Sequence, residues 1–149
     1  MKSTAAALIL ASTFLGVGML APAPTFAHHS GAMFDDGKTI VLQGEVRQFN
    51  WTNPHSSMKV DVPGADGQPV TWAIEMNSPG NLVREGWKRT SLKPGDKVAV
   101  LVHPLRDGKP GAIYLAIRLA DGTVLAPGGS GHDKTLQAAL QAAPGSRTE

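Results

Sequence analysis

Five stretches of this chain alternate apolar and polar residues with a period of two, and that pattern most constrains the fold. Ile40, Leu42, Gly44 and Val46 share one parity, against Gln43, Glu45 and Arg47 on the other. Met58, Val60 and Val62 alternate with Lys59 and Asp61, and Val70, Trp72, Ile74 and Met76 form a third such face. Val98, Val100 and Val102 give a fourth, and Ile113, Leu115, Ile117 and Leu119 set the expected inner parity of a fifth. Turn chemistry separates them: Asn50 to Pro54, Pro63-Gly64-Ala65-Asp66-Gly67, Lys93-Pro94-Gly95-Asp96 and Arg106 to Gly111. Asp121-Gly122 offers a short hairpin to Val124 and Leu125.

One segment breaks the alternation. Ser78-Pro79 reads as an N-cap followed by proline at the first helical position. Leu82 and Val83 are the expected apolar contacts of that helix, and Gly86 ends it. Three strands, a short helix and two strands is the order of an OB-fold, a small Greek-key barrel. A barrel also leaves no naked strand edges, so an all-β, OB-fold-like barrel is expected, with an open sandwich as the alternative.

Composition bounds what such a barrel can do. At 149 residues the chain suits one domain. Lys plus Arg number 14 against 12 Asp plus Glu, a balance of +2 that gives no electrostatic reason to expect nucleic acid. No cysteine is present, which excludes disulfides, thiolate metal sites, a redox pair and a cysteine nucleophile.

Residues 1–27 read as a secretory signal. Lys2 supplies the positive start, Ala5 to Leu20 the uncharged apolar stretch, and Ala21 to Ala27 a small-residue exit. The apolar run is short for a membrane span, so none is expected after the signal is removed. Cleavage after Ala27 puts Thr25 and Ala27 at the two small positions, whereas the competing cuts meet Pro24 or Met19. The expected mature protein is periplasmic or secreted, with an N-terminal arm at 28–38, a barrel domain at 39–125 and a flexible tail at 126–149 in which Leu140 buries little.

The residues also resemble a known group. His28-His29-Ser30, Met33-Phe34-Asp35, Asn53-Pro54-His55, Trp72-x-Ile74-Glu75, Ser78-Pro79, Gly86-Trp87, Lys93-Pro94-Gly95-Asp96 and His103-Pro104 together resemble a family of small exported bacterial proteins known as a domain of unknown function. The resemblance covers about residues 27 to 125 and departs at Gly31, where the family pattern has a bulky residue. It implies export and a compact β-domain, and no activity, substrate or catalytic residue.

The most chemically suggestive feature is the expected new N-terminus. An N-terminal histidine offers its free α-amine and its own imidazole to one ion, and a second imidazole completes a three-nitrogen set suited to Cu(II). Exported copper proteins such as lytic polysaccharide monooxygenases use this device, which His28 resembles in position. The competing reading is a polar signal exit that binds nothing. Placing His103 opposite Gln43 and His55 opposite Gln48 would separate the two by roughly 17 Å along the sheet, too far to share an ion. His28 or His29 with His103 is therefore the expected metal set. His55 is expected near Glu75 or Asn77, as a His–carboxylate pair or as loop polarity. Trp51 in the same loop is a candidate stacking platform beside that secondary polar site.

Two function classes follow. One is a periplasmic binding protein carrying copper; the other is a metal-free accessory module for a protein or small-molecule partner. No catalytic set has the spacing that specifies a reaction, and no cofactor other than copper is indicated.

Overall fold

The computed structural model describes residues 31–127 and 138–141. Its strands are β1 (Ile40–Asn50), β2 (Ser57–Pro63), β3 (Pro69–Glu75), β4 (Lys97–Pro104), β5 (Gly111–Arg118) and β6 (Val124–Leu125), with helix α1 (Pro79–Arg84) between β3 and β4. Neighbouring strands pair antiparallel in the order β3-β2-β1-β4-β5-β6. A parallel pairing of β3 with β5, from Ala73–Gly111 to Glu75–Ile113, closes the first five strands into a barrel. That closure excludes the open sandwich. It also removes the exposed edges that β3 and β5 would otherwise present. Strand order and closure together make an OB-fold-like barrel.

The alternating faces account for most of the core. Val46, Met58, Val60, Ile74, Val100 and Val102 are all buried in one cluster. Gly44 sits at the tightest approach of β1 to β2. A Cβ there would lie 2.2 Å from the Asp61 carbonyl oxygen, so the backbones could not meet with any side chain present. Ser78 caps α1, its Oγ accepting from the Asn81 amide at 3.4 Å. Gly86 takes a φ of 91° where the helix ends, a conformation glycine adopts without the Cβ penalty. Leu82 is buried, but Val83 is 59% exposed, which corrects its expected packing role. Adjacent helical positions point about 100° apart, and so short a helix presents one face to the barrel.

The inner parity of β5 also differs from expectation. Ala112 and Tyr114 face the core at one end of the strand and Ile117 at the other, while Ile113 and Leu115 do not. The ladder to β4 explains this: Val102 pairs with Tyr114 and Leu101 with Ala116, so Leu115 is bulged out. An inserted residue switches which parity points inward.

Trp72, expected in the core, is only partly buried. The fully enclosed tryptophan is Trp87, 1% exposed, which packs on Phe49 and edge-on against Tyr114 with ring centroids 5.8 and 5.7 Å away. Its indole Nε1 donates to the Tyr114 hydroxyl at 3.2 Å, and that hydroxyl donates to the Leu125 carbonyl at 2.8 Å. The polar tips of Trp87 and Tyr114 thus each have a partner.

A second apolar cluster lies on the other face of β4 and β5. Leu101, Ala116 and Ala126 pack there with Leu140, all buried. The expectation that Leu140 buries little is therefore corrected. The sequence pattern missed it because β4 is apolar on both parities, and its outward Leu101 needs a cover that the barrel cannot supply.

Candidate functional site

The N-terminal arm is tied to the end of β4. Phe34 forms an antiparallel bridge with Leu105, the Asp35 amide donates to the Pro104 carbonyl at 2.8 Å, and the Arg106 amide donates to the Met33 carbonyl at 3.0 Å. The Arg106 guanidinium clamps the same segment. Its Nε donates to the Ala32 carbonyl at 3.1 Å, while its two terminal nitrogens reach Asp35 at 3.4 Å and Asp36 at 2.9 Å. A rigid fork of donors suits this three-point grip better than a lysine would. His103, near the end of β4, donates from Nδ1 to the Lys38 carbonyl at 2.8 Å, because a carbonyl only accepts. Its Nε2 is the position left for another partner.

His55 is fixed in the same manner by a different acceptor. It lies in the β1–β2 loop, where the Asn53–Pro54 bond is cis and Thr52 Oγ1 donates to the His55 carbonyl at 3.2 Å. Its Nδ1 stands 2.6 Å from Glu75 Oε1, and its side chain is 49% exposed. A carboxylate accepts, so Nδ1 carries the hydrogen and Nε2 is again left over. Glu75 stays on the outer face because its neighbours Ile74 and Met76 point into the core.

Beside Glu75 the barrel surface is apolar and shallow. Met33, Ser57, Lys59, Ala73, Glu75 and Gly111 help line a groove of about 280 Å³. Small residues make its floor. A Cβ at Gly111 would press against the Leu105 side chain, Cδ1 lying at 2.5 Å. Met33 from the arm, 39% exposed, forms part of the wall.

The expected strand registers need correction. Val102 pairs with Ile40 and Ala99 with Gln43, so His103 falls level with Thr39. Ser57 pairs with Asn50, so His55 lies beyond Gln48, beside Thr52. More important is the route around the barrel. Ser57, Glu75, Ile113 and His103 are successive partners across β2, β3, β5 and β4. Glu75, which holds His55, is therefore two strand spacings from His103, roughly 10 Å. The spacing along β1 does not capture this route, which runs through the β3–β5 closure.

Trp51 is not a free stacking platform. Its ring packs edge-on against Phe49 at 5.9 Å, against the barrel core, and its carbonyl accepts from Arg89 Nη1 at 3.3 Å. Of the three residues expected in the secondary polar site, His55 and Glu75 meet directly.

A family model matches residues 18–114, ending at Tyr114 at the centre of β5. The chain belongs to DUF6152, a family of unknown function. No curated protein matches it. Among solved structures it is similar to the mitochondrial single-stranded DNA-binding protein Rim1 of S. cerevisiae, at 14% identity and a TM-score of 0.43, covering 56% of this chain and 93% of that one. A selenomethionine form of Rim1 gives 13% identity and the same TM-score over 55% and 92%.

Within this DUF6152 domain the expected metal set is only partly described. His28 and His29 lie outside the described residues, and His103 is the member the fold displays. Among the described residues no group of three or more His, Cys, Asp or Glu side chains is gathered to hold a metal. Sequence reasoning missed the Arg106 clamp and the groove. Arg106 looked like one member of a turn, and its ion pairs depend on an arm some seventy residues away. The groove had one signal, the small residues Ala73 and Gly111, which become neighbours only through the β3–β5 closure.

Proposed function

We propose that this chain is an exported β-barrel binding protein that carries Cu(II) at its mature N-terminus, through His28 (amine and ring), His29 and the barrel imidazole of His103. The observation that supports it most is the setting of His103. Its ring is oriented by the Lys38 carbonyl, leaving Nε2 unengaged, beside an arm strapped to the end of β4 by Phe34, Asp35 and Arg106. Orientation of a histidine through its second nitrogen is what metal ligands require. Four elements are the reading's own: cleavage after Ala27, a periplasmic or secreted location, no membrane attachment after cleavage, and no nucleic-acid partner, given the formal balance of +2.

The test is direct. Protein exported with its own leader is sequenced by mass spectrometry at the N-terminus and titrated with Cu(II). Tight, single-species binding is expected, weakening as pH falls because protons compete for amine and imidazole nitrogens. One residue added ahead of His28 removes the amine–imidazole chelate while leaving every side chain in place. Binding that survives this addition unchanged would sink the reading, as would processing at another site.

A second reading has its own support. The groove beside Met33, apolar and on the outer face of β2, β3 and β5, suits a metal-free module for a protein or small-molecule partner. Weak, heterogeneous copper binding would favour it.

A further inference from the structure

We infer that the segment 84–93 is a docking surface for a carboxylate-rich face of a partner protein, read by Arg84, Lys88, Arg89 and Lys93. The inference stands apart from both readings above, because none of these residues lines the groove or belongs to the copper set.

Three observations carry it. First, charge is segregated along the chain. Eleven lysines and arginines lie among the described residues. Arg47, Lys97, Arg106 and Lys109 are matched by carboxylates at 2.9–3.4 Å. Of the seven that form no such pair, four fall in the ten residues from Arg84 to Lys93. The whole chain has a balance of only +2, so this span is cationic by placement and not by excess. Its one acid, Glu85, is buried. Asp96, just beyond it, accepts from the Lys93 amide of its own turn at 2.9 Å.

Second, the fold turns all four cations outward. Leu82, Trp87 and Leu92 recur every five residues and are all buried. They pin the segment to the barrel and leave Arg84, Lys88, Arg89 and Lys93 exposed around them.

Third, both guanidiniums are held by neutral acceptors. Arg84 Nη1 donates to Asn81 Oδ1 at 2.9 Å, and Arg89 Nη1 donates to the Trp51 carbonyl at 3.3 Å. Such an acceptor restrains the side chain without cancelling its charge, and each fork has further N–H donors to offer. A planar fork matches a carboxylate with two parallel hydrogen bonds. Val83, 59% exposed beside Arg84, adds an apolar contact that a protein face meets and a dissolved polyanion does not. Charge complementarity of this kind steers the encounter and fixes its register, and salt screens it.

The experiment uses the exported protein without copper and labelled poly-L-glutamate as the acidic probe, read by fluorescence anisotropy. Binding is expected at low salt and should weaken steeply as ionic strength rises to about 0.15 M. The triple variant Lys88→Glu, Arg89→Glu, Lys93→Glu should weaken it by about tenfold or more. The triple variant Lys38→Glu, Lys59→Glu, Arg118→Glu makes the same change in net charge elsewhere and should weaken it distinctly less. Lys88→Gln, Arg89→Gln, Lys93→Gln should act in the same direction as the reversal but more mildly, and near-ultraviolet dichroism checks that each variant keeps its fold. Equal losses from the two reversals would overturn the inference, since net charge alone would then govern binding. It also fails if vesicles of phosphatidylglycerol bind through these residues while poly-L-glutamate does not, because the partner is then a lipid surface. Absence of binding to poly-L-glutamate at low salt overturns it outright.

Discussion

The barrel interior around Trp87 and the outer flank around Ile113 are built from the same strands yet obey different rules. Inside, Trp87, Tyr114 and Leu125, all buried, form a chain of two hydrogen bonds. Outside, Glu75 and His103 each use one polar contact and leave a nitrogen or a groove wall free. Most interior polar groups are satisfied within the fold, because leaving one unpaired costs about 1–3 kcal/mol; Ser56 Oγ and one oxygen of Glu85 are the buried exceptions among the described residues. Surface groups carry no such obligation, so residues able to take a ligand collect where solvent can complete their bonding. The two regions touch through strand parity alone: Ala112 and Tyr114 face in, and Ile113 between them faces out.

The sharpest way to break this contrast is to empty the interior. Trp87→Ala should cost about 3–5 kcal/mol in a urea titration, as large aromatic truncations in cores do. Trp51→Ala and Trp72→Ala, each partly buried, should cost distinctly less. Equal losses for all three would mean that Trp87 does not hold the interior together.

What the sequence made legible follows the same divide. The alternation of Val98, Val100 and Val102, or of Met58 and Val60, places side chains correctly because one inward parity suffices for a regular strand. It failed at Leu115, where a bulge reverses the parity, since nothing in a run of apolar residues marks an unpaired position. Tyr114 was missed for that reason. The family resemblance was readable from short motifs such as Asn53-Pro54-His55 and Lys93-Pro94-Gly95-Asp96. Of the site, the His55–Glu75 contact was anticipated from hairpin neighbours. The nearness of that pair to His103 was not, because it arises from β3 meeting β5 across some forty residues of sequence. Such long-range closure leaves no local periodic trace.

Between interior and flank lies an intermediate case, Leu140 over Leu101 and Ala116. Leu140→Ala should cost about 2 kcal/mol, near the value of fully burying one leucine side chain. Deleting 128–149 should cost a similar amount while the barrel stays folded, measured by urea midpoint and near-ultraviolet dichroism. A deletion that unfolds the barrel would show that this outer cluster belongs to the fold's foundation and that the division between core and surface is drawn in the wrong place.

The smallest expected effect sharpens the contrast by pH. Glu85 is buried beside Tyr114; its Oε1 accepts from Asn77 Nδ2 at 3.0 Å, and its Oε2 has no partner. Burial pushes its carboxyl above the ordinary range, with the Asn77 bond opposing that shift. Burial likewise drives the Tyr114 phenol far up, and the nearby Glu85 charge adds to this. A carboxyl whose pKa is raised by folding binds its proton more tightly in the native state. Its contribution to stability is therefore complete below the unfolded carboxyl pKa and is lost as pH rises through the raised folded value. Glu85→Gln removes that titration and keeps an oxygen for Asn77. The substituted protein should gain on the unaltered one between pH 4 and pH 8, by a shift on the order of 1 kcal/mol in paired urea titrations. Should the unaltered protein instead gain on Glu85→Gln as pH rises, the buried carboxylate is favoured in its charged form, and the interior holds a charge as comfortably as the surface does.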